Sequence, residues 1–70
     1  MGKTRHEIQP KVDAQRRAIR EHIEKYKNYA YEQDKRFALD TISRCQSNIA
    51  DLKRQCNVSI DDSWEDYWTP

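Results

Sequence analysis

Between Pro10 and Pro70 the chain holds no proline and no glycine, and its one glycine is Gly2. Fifty-nine residues without a strong breaker leave few architectures open. The stretch is rich in Ala, Arg, Lys, Glu, Gln and Ile, all compatible with helix. With a single glycine, a glycine-rich loop that cradles phosphate is excluded. The chain is 70 residues long, enough for one small domain whose core is marginal alone.

Two apolar patterns divide this interior. Ile8, Val12, Ile19, Ile23, Tyr26 and Ala30 fall within a stripe about 60° wide at roughly 100° per residue. That is the narrow seam of an amphipathic helix. Ala38, Ile42, Cys45, Ile49, Leu52 and Cys56 repeat at alternating steps of four and three, an a/d heptad seam. Tyr31 extends it backwards by one heptad, and Phe37 and Leu39 flank it on opposite sides. The seams change phase near Lys27-Asn28-Tyr29-Ala30-Tyr31, where Asn28 tolerates a left-handed cap. A tight connection at 28–32 then gives an antiparallel hairpin. The competing geometry is one helix over residues 11–56, about 69 Å long, paired along its length with a second chain.

The first helix has two plausible starts. Thr4 and Glu7 form the capping box Thr-x-x-Glu, but that start leaves Pro10 inside the helix, where it removes a hydrogen bond. A start near Pro10 avoids this. The expected organisation is therefore an N-terminal arm or short turn at 1–9, helices near 10–28 and 32–56, and an acidic, aromatic segment at 57–70. The fold class is all-α. Both seams also suit self-association as a homodimer in a four-helix arrangement.

Charge is unevenly spread. The net charge is +1, yet residues 1–36 carry +4 and residues 57–70 carry −4. Apolar residues make up 36%, below the usual ~45–50%, but seven aromatics and near-neutrality argue against disorder. No apolar run reaches membrane-span length, so no membrane partner is expected. Residues Met1–His6 lack the apolar stretch of a secretory signal. Two cysteines in that context point to free thiols and a cytoplasmic location.

Chemistry-bearing residues are sparse. The soft metal ligands are His6, His22, Cys45 and Cys56. On one helix the two cysteines lie about 16 Å apart, too far for one zinc ion or a disulfide. Cys–His22 is the one conceivable nucleophile–base pair, but seam cysteines are buried and inert. The expectation is no enzyme, no metal and no cofactor.

Two surfaces remain as binding candidates. Trp64, Tyr67 and Trp68 follow helical spacing in the tail, with Asp62 or Ser63 able to cap the turn. They can fold back over the hairpin, against Phe37 or Leu39, or serve as anchors for a partner. In the second case Asp61, Asp62, Glu65 and Asp66 steer the tail to a basic groove. Arg16, Arg20 and Lys27 share one flank of helix one, a footprint for phosphate. Against it stand the i,i+4 pairs Asp13–Arg17, Arg20–Glu24 and Glu21–Lys25, the signature of a solvated helix face. The expected function is a small interaction protein that binds and modulates a larger one, as an adaptor or inhibitor. Phages and other mobile elements carry many proteins of that kind. The alternative is a nucleic-acid-binding accessory protein.

Overall fold

The computed structural model describes residues 2–28 and 31–70. Two helices, α1 (Arg5–Asn28) and α2 (Glu32–Gln55), pack against each other as a helical hairpin. A single 3-10 turn, η1 (Trp64–Asp66), follows near the C-terminus. The molecule measures 45 × 15 × 14 Å, too short for one continuous helix over residues 11–56. The expected connection at Tyr29 and Ala30 lies outside the described residues.

The seams pack as their spacing requires. Ile8, Val12, Ile19 and Ile23 of α1 meet Ile42, Cys45 and Ile49 of α2. Ile60 of the C-terminal segment closes this core from one side. Tyr31 is exposed, so the heptad begins at Ala38 rather than one repeat earlier. Asn28 remains helical, and no described residue takes a positive φ. Its side-chain amide donates instead to the Glu24 carbonyl, 2.9 Å away.

The start of α1 corrects the expectation of a helix beginning near Pro10. Helix begins at Arg5, and Thr4 accepts the Glu7 N–H at its backbone carbonyl (3.1 Å) and its hydroxyl (3.3 Å). Pro10 lies inside the helix. Its ring forfeits the bond to the His6 carbonyl, but both residues are exposed, so water can reach that oxygen. The extra turn fully buries Ile8, a gain of about 2 kcal/mol that offsets the loss.

Residues 2–4 are also tied down. Lys3 bridges the end of α2, donating to the Gln55 carbonyl (2.7 Å) and accepting from the Asn57 N–H (2.8 Å). The approach is close at Gly2, where a Cβ would lie 2.9 Å from the Asn57 backbone. Gly2→Ala is expected to displace this bridge and cost about 1 kcal/mol, the value of a typical net hydrogen bond. Hydrogen exchange at Lys3 and Asn57 reads it directly. Unchanged protection at both amides contradicts the steric argument.

Candidate functional site

After α2 the chain turns back and runs along one side of the hairpin, over the groove between the two helices. Its acids explain the path. Arg16 of α1 is buried and faces Asp66, with Nε and Nη2 donating to the two carboxylate oxygens at 2.9 and 2.8 Å. The same Nη2 donates to the Asp61 carbonyl at 2.8 Å. Lys53 of α2 donates to Asp66 at 2.8 Å and also to Asp62. Arg20 lies 3.6 Å from Glu65. One carboxylate, Asp66, thus joins both helices and the tail. Two-pronged guanidinium–carboxylate pairs are strong and geometrically specific.

The turn itself is locally determined. Ser63 precedes η1 in an extended conformation. Asp66 reaches back to accept the Ser63 N–H at 3.2 Å, while the Ser63 hydroxyl donates to Glu65 at 2.9 Å. This is the capped short turn the sequence indicates, ending at Tyr67. Gln46 of α2 fixes its far side, donating to the carbonyls of Glu65 (3.1 Å) and Trp68 (2.9 Å).

Protonation follows these contacts. Burial alone would raise the Asp66 pKa, but hydrogen bonds from Arg16, Lys53 and the Ser63 N–H overcome it and hold it at about 2. The hydrogen bond to Asp66 pushes Arg16 above its ordinary value. Burial opposes the charge on Lys53, yet its bonds to Asp62 and Asp66 raise its pKa. Lys53 and Tyr67 in turn lower Asp62. Every buried side-chain nitrogen and oxygen among the described residues has a partner.

The sequence-selected residues therefore part company. Glu65 is 3% exposed and Asp66 8%, so both are removed from the set of charges that could steer a partner. They neutralise cations of the same chain. Asp61 and Asp62 remain exposed, although the Asp61 carbonyl and the Asp62 carboxylate are engaged internally. Arg16 is removed from the phosphate-binding flank for the same reason. Arg20 keeps half its surface but faces Glu65, and Lys27 is exposed. None of the three i,i+4 pairs named above for α1 closes to an ion pair among the described residues, and Arg20 turns to the tail instead of to Glu24.

The aromatics divide too. Trp68 packs against the core, edge-on to Tyr26 with ring centres 6.0 Å apart. Leu39 lies beside it, whereas Phe37 points elsewhere and is 72% exposed. Trp64 and Tyr67 face solvent, at 56% and 66% exposure. The Tyr67 hydroxyl donates to Asp62 at 3.0 Å, and the Lys53 ammonium lies 5.5 Å from its ring centre. Tyr67 is thus held in one orientation while its ring stays accessible.

Sequence spacing missed the roles of Lys53 and Gln46. Both lie on the flank of α2 beside the heptad seam, where a polar residue reads as solvated. The excess of acids in residues 57–70 was the available signal for Lys53, and nothing in the spacing marks Gln46.

Cys45 is buried, and that burial raises its thiol pKa. Cys56 is half-buried at the end of α2. No helix among the described residues is long and apolar enough to cross a membrane. No protein-family model matches the chain, and no curated protein or solved structure is significantly similar to it.

Proposed function

We propose that the chain is a small protein–protein interaction module that docks on a larger protein through Trp64 and Tyr67 and modulates it. The observation that carries this reading is their exposure on a turn whose backbone is fixed by buried ion pairs. Large aromatics dominate binding hot spots because they bury much area for few rotatable bonds. Holding the turn in one conformation lowers the ordering cost of association. The module acts by binding, with no catalytic group assigned. The nucleic-acid alternative is weakened by the burial of Arg16 and the pairing of Arg20.

The test starts with affinity capture from native lysate, with and without nuclease, followed by titration of the captured protein. Trp64→Ala and Tyr67→Ala are each expected to weaken binding by about 30-fold, the ~2 kcal/mol of a hot-spot residue. Their helical circular dichroism stays that of the parent, because neither ring belongs to the core. Captured material that vanishes with nuclease, and is lost in Lys27→Glu but kept in Trp64→Ala, overturns the proposal.

A further inference from the structure

The tail covers one side of the hairpin and leaves the other open. On α1, Lys11, Ala14, Gln15, Ala18, His22 and Lys25 share a strip at helical spacing, turned away from the tail-binding Arg16 and Arg20. On α2, Phe37, Thr41, Asn48 and Asp51 form the facing strip, turned away from Gln46 and Lys53. Two shallow depressions run between these strips. One joins Lys11 and Ala14 to Asp51 and Leu52, and the other joins His22 to Asp34 and Phe37. The small residues Ala14 and Ala18 let another helix approach closely. Phe37 stands over the upper depression with most of its ring in solvent.

The charges on this face are arranged by edge. The α1 edge carries Lys11 near one end and Lys25 near the other. The α2 edge carries Asp51 at the height of Lys11, and Asp34 within about one turn of Lys25. All four are exposed, and among the described residues the one charged partner they have is Arg54, which pairs with Asp51. Arg44, the cation on the α2 edge, lies within about one turn of the height of Glu21 on α1.

We infer that this face binds a second copy of the chain, about a two-fold axis parallel to the hairpin. That operation lays α1 of each copy over α2 of the other at equal height. Lys11 then meets Asp51 of the second copy, Lys25 meets Asp34, and Glu21 meets Arg44. The other face-to-face two-fold, perpendicular to the helices, sets Lys11 against Lys25 and Asp34 against Asp51. Charge complementarity selects the first. A face of 45 × 15 Å offers roughly 700 Å² per copy, close to the ~800 Å² per partner of a standard interface. The result is a four-helix arrangement with both tails outside. It does not depend on Trp64 or Tyr67, which lie on the opposite side.

Sedimentation equilibrium from about 1 µM to about 1 mM tests the inference. The full chain is expected to reach twice its 8.5 kDa mass within that range. Lys11→Glu/Lys25→Glu and Asp34→Lys/Asp51→Lys are each expected to weaken self-association by about tenfold or more. Mixed together, they restore a heterodimer, because each new charge meets its opposite. Ala14→Arg, at a position exposed in the single hairpin, blocks the face by size and keeps the helical signal. A chain that stays monomeric throughout overturns the inference and leaves the groove to some other helix. So does a dimer indifferent to all these changes, or a mixture that fails to associate.

Discussion

Asp66→Asn is expected to destabilise the fold by about 3 kcal/mol, at the low end for removing one partner of a buried ion pair. The substitution preserves shape and removes one charge. Arg16 then stays buried with a neutral amide in place of two anionic acceptors. The amide nitrogen also turns a donor toward a donor, either Arg16 Nε or the group of Arg16 Nη2, Lys53 and the Ser63 N–H. For a domain of this size the melting temperature should fall by about 12–24 °C. A 70-residue chain has little stability in reserve, so the variant should be partly unfolded near 37 °C. Urea denaturation followed by circular dichroism measures the loss. The double variant Arg16→Met/Asp66→Leu should recover much of it, because an apolar pair of similar volume needs no solvation. A loss below about 1 kcal/mol for Asp66→Asn would mean that Arg16 finds water, and that the cluster is a surface feature.

Acid should reproduce the same loss without mutation. Asp66 has its folded pKa at about 2, against about 3.9 in an unfolded chain. A carboxylate depressed by folding stabilises the native state at pH above its unfolded value. That contribution disappears as the pH falls through the folded value. About 2 kcal/mol present at pH 7 is therefore lost between roughly pH 4 and pH 2. Asp62 is shifted in the same direction, but it is exposed and Lys53 can reach water instead. Urea midpoints at pH 7, 4 and 2 should fall steeply over the last interval for the parent chain. For Asp66→Asn they should fall much less. Equal acid sensitivity in both chains would assign the titration to another carboxylate.

What the sequence disclosed follows the range of the interactions. The α2 seam and the end of α1 near residue 28 are local, and spacing and the change of phase locate them; for the turn, local reading left Asp62 and Ser63 as alternative caps, and the chain uses Ser63. The N-terminal boundary was a contest between Pro10 and the Thr4–Glu7 box. It was decided by something non-local, the burial of Ile8 and the bridge between Lys3 and the end of α2. The tail acids show the same limit more sharply. Their density suggested charges held out for a partner. Arg16 and Asp66 are fifty positions apart, and no periodicity links them. Only the opposing charges of the two ends hinted that the chain answers itself. Trp64 and Trp68, four positions apart, met opposite fates because the helical turn spans only Trp64–Asp66 and ends at Tyr67, so helical spacing does not carry both rings onto one face.

The Arg16–Asp66 pairing also has a consequence in time. A ribosome makes Arg16 fifty residues before the carboxylate that satisfies it. At about 5–20 residues per second, that is a wait of roughly 3–10 s, far longer than a helix or a loop needs to form. The second helix is complete in the nascent chain only eleven residues before Asp66, so the groove between the helices stands uncovered, its guanidinium unanswered, for the last part of that wait. During that interval any passing anionic segment is a competitor for Arg16, and the tail must displace it to finish the fold.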